Sequence, residues 1–128
     1  MKYEIIGKTV PAVEITFEKG ESVYSQSGGM IWQTNGIEMK TNARGGVMKS
    51  LGRMFTGESI FMNTYTAQED GAKVAFGTTA PGDLIPVNMD EHPGGFFVQK
   101  KAFLCAEPNV EVSVAFTKKF STGLFEIG

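Results

Sequence analysis

The stretch Glu58-Ser-Ile-Phe-Met-Asn-Thr-Tyr-Thr66 decides the fold class, because strand-forming residues occupy both sets of its alternating positions. Successive side chains of a strand point to opposite faces, so a strand with one wet face alternates apolar and polar residues. This stretch carries β-branched and aromatic residues on both faces instead. It therefore predicts a central strand that is covered by protein on two sides.

Shorter strand signals lie on either side of this stretch. Val13, Ile15 and Phe17 alternate with polar residues, which is the period of a strand with one face on the core. Pro-Gly and Pro-Asn pairs separate the later runs. The pattern predicts an all-β, mainly antiparallel fold, either a β-sandwich or an open barrel. Further strands are predicted at Ser22 to Gln26, Met30 to Thr34, Lys73 to Gly77, Asp83 to Met89, Gly95 to Lys100, Ala102 to Ala106 and Val110 to Thr117.

Two local features refine this architecture. Asn35-Gly36 separates two short strand signals, and both residues tolerate positive φ, so the pair predicts a type I′ hairpin. Phe96 and Phe97 are adjacent and must point to opposite faces, which favours a strand buried on both sides. The same adjacency argues against an RNA-stacking strand, because such a strand carries alternating aromatics on one exposed face.

One segment, NARGGVMKSLGRMFTG at 42–57, interrupts the strands. Its glycines do not occupy the positions of a phosphate-binding loop, so nucleotide binding by this segment is rejected. At about 100° per residue the segment predicts a short amphipathic helix near 46–55. Five apolar residues form an arc of about 120°, and two cations lie one turn apart on the other side. The arc comprises Val47, Met48, Leu51, Met54 and Phe55, and the cations are Lys49 and Arg53.

These seven residues are the candidate oligomer or membrane interface. A helix of this length that contains Gly52 is not stable alone, so it requires a surface to dock on. Three surfaces remain open: the protein's own sheet, a second subunit, or an anionic membrane that would attract the segment 44–55 weakly in a single copy.

The composition restricts the function further. The chain has 128 residues and a net charge of −2, which fits one folded domain and gives no support for nucleic-acid binding. Cys105 is the only cysteine and is interpreted as a small buried apolar residue. No apolar stretch is long enough for a signal peptide or a membrane span, so a cytoplasmic location is expected.

No residue set indicates catalysis, a cofactor or a metal. His92 is the only histidine and lies in Asp90-Glu91-His92-Pro93-Gly94. A metal site generally needs three or four ligands in fixed geometry, so a solvated loop is favoured here. A small-ligand site near this turn stays open as an alternative.

Four segments of this sequence, which occur together and in order, closely resemble the altered-inheritance-of-mitochondria family. The likeness runs from Tyr3-Glu4-Ile5 to Gly123-Leu124-Phe125. It implies a β-sandwich similar to that of the tryptophan RNA-binding attenuation protein, packed into larger assemblies, without that protein's ligands. The four segments are Gly46-Val-Met-Lys-Ser-Leu-Gly-Arg-Met-Phe55, Gly57-Glu-Ser-Ile-Phe-Met-Asn-Thr-Tyr-Thr-Ala67, Pro81-Gly-Asp-Leu-Ile-Pro86 and Phe97-Val-Gln-Lys-Lys-Ala-Phe-Leu104.

Mitochondrial members of this family are linked with inner-membrane organisation, but this chain lacks an Arg-rich transit peptide, so it resembles a bacterial member. Family members usually run to nearly twice this length. We therefore expect residues 1–128 to form a single β-sandwich domain that resembles the N-terminal half of longer members. The leading hypothesis is a non-enzymatic, homo-oligomeric scaffold, and the alternatives are peripheral membrane association through 44–55 or small-ligand binding.

Overall fold

The computed structural model describes residues 1–44, 60–78, 81–115 and 124–127, and every strand pairing in these ranges is antiparallel. Two short 3-10 turns, Met89–Glu91 and Lys100–Ala102, accompany the strands. The strands are β1 (Lys2–Ile6), β2 (Ala12–Thr16), β3 (Ser22–Gln26), β4 (Met30–Gln33), β5 (Ile37–Arg44), β6 (Ile60–Ala67), β7 (Lys73–Gly77), β8 (Phe96–Gln99), β9 (Cys105–Ala106), β10 (Val112–Ala115) and β11 (Leu124–Ile127).

The strands form three sheets, and the middle one is packed on both faces. Sheet A has the order β1-β2-β7-β4, sheet B the order β5-β6-β3-β9, and sheet C the order β10-β11-β8. The first core joins sheet A to sheet B, and the second core joins sheet B to sheet C. The first core consists of Ile15, Phe17, Val23, Tyr65, Ala67, Ala72, Val74 and Phe76. The second is built on Tyr24, Met62, Val112 and Ile127.

Strand β6 confirms the prediction made from residues 58–66. It pairs with β5 on one side and with β3 on the other. Tyr65 points into the first core and Met62 into the second, and both are buried. The strand therefore carries apolar residues on both faces because each face meets a different sheet.

Neighbouring strands were also predicted correctly. Ile15 and Phe17 are buried in the first core, and Val13 packs against it. Strand β3 spans the predicted residues, and Val23 and Tyr24 enter opposite cores because successive side chains of a strand alternate. The architecture is thus an antiparallel β-sandwich with three layers.

The hairpin prediction at Asn35-Gly36 was wrong. Strand β4 belongs to sheet A and pairs with β7, whereas β5 belongs to sheet B and pairs with β6. Gly36 has a φ of 85°, but no described residue other than glycine has a positive φ, so Asn35 cannot complete a type I′ turn. The turn instead carries the chain from one layer of the sandwich to the other.

Two further expectations need correction. Residues 83–88 form no strand and lead into the turn at Met89–Glu91. Strand β8 is not buried on both sides, because only one face of sheet C packs on sheet B: Phe96 packs against the second core, but Phe97 is 59% exposed. The strand β1 was not predicted at all.

The predicted helix near 46–55 lies outside the described residues. Arg44 and Ile60, the described residues on either side of it, are register partners at the end of the β5–β6 pair.

Candidate interaction surface

The outer face of sheet A, which points away from sheet B, carries a row of apolar residues that crosses all four strands. Ile6 pairs with Ala12, and Ala12 pairs with Gly77. Ile31 of β4 lies against Gly77, because a Cβ on that glycine would be 2.5 Å from the Cδ1 atom of Ile31. Trp32 lies next to this row, because its register partner on β7 is Ala75. We call these residues, Ile6, Ala12, Gly77, Ile31 and Trp32, the apolar stripe.

A β-bulge creates the β4 end of the apolar stripe. The register of β4 on β7 shifts between Met30 and Trp32, so Ile31 has no partner of its own. Adjacent residues of a regular strand point to opposite faces, but a bulge re-aims one of them. Ile31 therefore shares the outer face with Trp32.

The apolar stripe is open to solvent. Ile31 is 55% exposed, Trp32 38% and Ile6 36%. Single exposed apolar residues are common on protein surfaces, whereas large contiguous apolar patches are typical of interaction sites. The stripe is therefore the best-supported functional surface among the described residues.

Strand β1 provides a second exposed apolar set on the inner face of the same sheet. Tyr3 and Ile5 pair with Ile15 and Val13, so they point toward sheet B. They remain 60% and 38% exposed. Strand β1 is the edge of its sheet, and β9, the corresponding edge of sheet B, has only two residues. Among the described residues, this edge of sheet B is therefore too short to cover β1.

Several charged residues lie on the outer face beside the apolar stripe. The Lys73 ammonium lies 3.2 Å from a Glu14 carboxylate oxygen. Glu4 lies directly opposite Glu14 in the register, and two like charges in that position repel each other. Neither Glu4 nor Lys2 makes an ion pair within the described part of the chain. The β1 edge thus carries two charges that lack an opposite partner there.

Cys105 and His92 occupy positions that differ in their exposure. Cys105 is half-buried against the first core, and burial raises the pKa of its thiol to about 12. The thiol is therefore protonated at neutral pH and is a poor nucleophile. His92 is exposed beside the Met89–Glu91 turn, and its ring lies 5.2 Å from the Phe96 ring. No group of three His, Cys, Asp or Glu side chains that could hold a metal ion occurs among the described residues.

The seven residues of the predicted helix interface, Val47, Met48, Lys49, Leu51, Arg53, Met54 and Phe55, all lie outside the described residues. Their proposed contact with a second subunit or an anionic membrane stays a prediction. In the ranges that the structure describes, no helix is both long enough and apolar enough to cross a membrane.

The apolar stripe and the β1 edge were missed by the sequence reasoning. For β1 a signal exists, because Lys2 and Glu4 alternate with Tyr3 and Ile5. For the stripe no local signal exists, because it depends on the β-bulge and on the pairing of distant strands.

Comparisons with known proteins agree with this fold. The family model described as mitochondrial biogenesis AIM24 matches residues 3–128. An uncharacterised protein of Streptococcus pyogenes serotype M6 is 34% identical over 88 residues, which cover 63% of this chain and 35% of that protein. The crystal structure of a Streptococcus pyogenes protein, a structural-genomics target, superposes with a TM-score of 0.69 at 25% identity, and the match covers 98% of this chain and 58% of that one. The chain thus spans only part of the length of both relatives.

Proposed function

The chain belongs to the AIM24 mitochondrial biogenesis family, and we propose that it is a non-catalytic, homo-oligomeric β-sandwich protein that acts as a structural or assembly scaffold. Its expected location is the cytoplasm, and its expected partner is a second copy of itself. The observation that carries the proposal is the apolar stripe on the outer face of sheet A.

Burial of the apolar stripe between copies would stabilise an assembly. About half of the Ile31 side chain and more than a third of Trp32 remain in water in the single chain. Removing apolar surface from water contributes roughly 25 cal/mol per Å², and aromatic residues dominate the energetics of many interfaces. The apolar stripe has few polar groups that would lose their water on association, because it consists of isoleucine, tryptophan and the small residues Ala12 and Gly77.

The chemistry of the described residues supports a non-catalytic role. The single thiol, Cys105, is protonated and packed against the first core. The single histidine, His92, contacts an aromatic ring at an exposed turn, and a general base requires a fixed position beside its substrate.

Sedimentation velocity from about 1 µM to 1 mM tests the proposal. We expect the wild-type chain to self-associate and Ile31→Glu to weaken this by at least about tenfold, since a charge would replace a buried apolar group. Ile85→Glu is the matched control, because Ile85 is 79% exposed and lies outside the stripe. Trp32 is the only tryptophan, so its emission should shift to the blue as the protein concentration rises. A wild-type chain that stays monomeric throughout would refute the proposal.

The two alternatives stay predictions with their own tests. Peripheral membrane binding through 44–55 predicts salt-sensitive flotation with anionic vesicles, and the absence of such binding removes it. A ligand site at the turn around His92 predicts that one compound of a thermal-shift screen stabilises the wild-type chain but not His92→Ala.

A further inference from the structure

We propose that the edge strand β1 pairs with β1 of a second copy, in an antiparallel arrangement centred on Tyr3, so that two copies of sheet A form one continuous eight-stranded sheet. This inference rests on the proposed homo-oligomeric function and specifies one of its contacts. The carrying observation is that the sequence of β1 is complementary to itself in this register.

The pattern of residues along β1 selects the register. In a two-fold antiparallel pair, the outer-face residues of one strand must lie opposite outer-face residues of the other. With Tyr3 on the two-fold axis, Lys2 lies opposite Glu4 of the second copy, and Glu4 lies opposite its Lys2. On the inner face Tyr3 meets its own copy, and Met1, which directly precedes the strand, meets Ile5; Ile6 lies beyond the paired residues. Every pair is then chemically matched, either as opposite charges or as two apolar groups.

Other registers do not match in this way. Centring the pair on Glu4 places two Glu4 carboxylates directly opposite each other, which is unfavourable. Centring it on Ile5 places the Glu4 carboxylate opposite the apolar Ile6 side chain, which is an unmatched pair. The strand cannot be extended past Ile6, because Gly7 has a φ of 85° and leaves the extended conformation.

The charges and exposed apolar residues of β1 in the single chain also indicate that a partner strand is missing. Glu4 faces Glu14, whose carboxylate already pairs with Lys73. A lysine from the second copy would relieve this repulsion. Pairing would also reduce the solvent exposure of Met1, Tyr3 and Ile5, which are 36%, 60% and 38% exposed.

The outermost strands at the other ends of sheets A and B are less suitable. Strand β4 contains the β-bulge, which interrupts regular pairing and protects an edge from association. Strand β5 has the same alternation of charges, but its Glu38 and Lys40 already form an ion pair with each other at 3.1 Å. Strand β5 therefore supplies a matched control.

Charge reversal tests the register. Lys2→Glu and Glu4→Lys each convert two attractive cross-strand pairs into repulsive ones, and we expect each to weaken self-association by at least about tenfold. The double variant K2E/E4K restores opposite charges at both pairs, and we expect its dissociation constant within about threefold of the wild-type value. Reversing Glu38 and Lys40, singly or together, should leave association unchanged. Sedimentation equilibrium measures all of these variants.

A folding defect does not explain weaker association of Glu4→Lys, because this substitution replaces a repulsive Glu4–Glu14 contact with an attractive one inside the single chain. This variant should therefore unfold at the same or higher urea concentration while it associates more weakly. Tyr3→Cys in a Cys105→Ala background gives a second readout, because the two thiols on the axis should form a disulfide-linked dimer under mild oxidation.

The outcomes separate this inference from the proposed function. An oligomer that is unaffected by K2E and E4K overturns β1 pairing and leaves the homo-oligomeric scaffold standing. Weakened single variants with no recovery in K2E/E4K also overturn the register. A wild-type chain that is monomeric up to about 1 mM overturns both.

Discussion

Replacing Tyr24 with phenylalanine tests whether a hydrogen bond from this residue stabilises the packing of sheet C on sheet B. Tyr24 is fully buried on β3, and its hydroxyl donates a hydrogen bond to the main-chain carbonyl of Val110. Its ring lies 5.9 Å from the Phe103 ring in the second core. The substitution keeps the ring and removes only the donor.

The expected loss follows from the burial of this pair. A neutral hydrogen bond contributes about 0.5–1.5 kcal/mol net, and an acceptor left without a donor costs about 1–3 kcal/mol. Val110 is half-buried, so water can reach part of it, and we expect a loss of about 1–2 kcal/mol. For a domain of this length the loss lowers Tm by roughly 3–10 °C.

Urea denaturation followed by circular dichroism at low protein concentration measures the effect. Tyr3→Phe is the control, because Tyr3 is 60% exposed and its hydroxyl has no hydrogen-bond partner in the described part of the chain. The control should lie within about 0.5 kcal/mol of the wild type. A Tyr24→Phe chain that is equally stable would refute the inferred link between the two layers.

Three further predictions concern groups elsewhere in the chain. The pKa of the Glu21 carboxyl is lowered from 4.5 by the backbone N–H of Glu18 and then by the terminal amine. Its contribution to stability is therefore fully present above pH 4.5 and is lost as the pH falls through the lower folded pKa. Glu21→Gln should thus be less stable than the wild type in urea at pH 7, and the difference should shrink as the pH falls below 4.5. Cys105 should react with iodoacetamide at pH 8 at least about 100-fold more slowly in the folded chain than in guanidinium, and equal rates would contradict its burial. Gly36→Ala should cost about 1–2 kcal/mol because φ is positive there, whereas Asn35→Ala should cost less than about 0.5 kcal/mol; comparable losses in chemical denaturation would indicate the type I′ turn after all.

The strands that could be predicted from the sequence are those whose own pattern of apolar and polar residues indicates which faces are buried. Strand β6 has apolar residues on both faces because it is central in a middle sheet, and β2 alternates because its inner face meets the first core. The Asn35-Gly36 pair predicted a change of direction correctly. It could not predict which sheet the next strand joins, because β5 pairs with the distant β6 instead of with β4.

The candidate surfaces were harder to predict for the same reason. Ile31 and Trp32 are adjacent, and a regular strand would place them on opposite faces. The shift of register against β7 places both on the outer face, and this shift is a tertiary effect. The exposure of Tyr3 and Ile5 depends on the length of β9, which lies about a hundred residues further along the chain.

The order of strands in sheet A has a consequence for synthesis on the ribosome. Strand β7 lies between β2 and β4, and within the described residues it is the only pairing partner of β4. Strand β5 likewise pairs with β6, which is synthesised after it. At about 5–20 residues per second, strands β3 to β5 therefore emerge seconds before any of their partners is made. During that interval the apolar residues of the first core have no native cover, and the nascent chain is open to chaperones until Gly77 has left the exit tunnel.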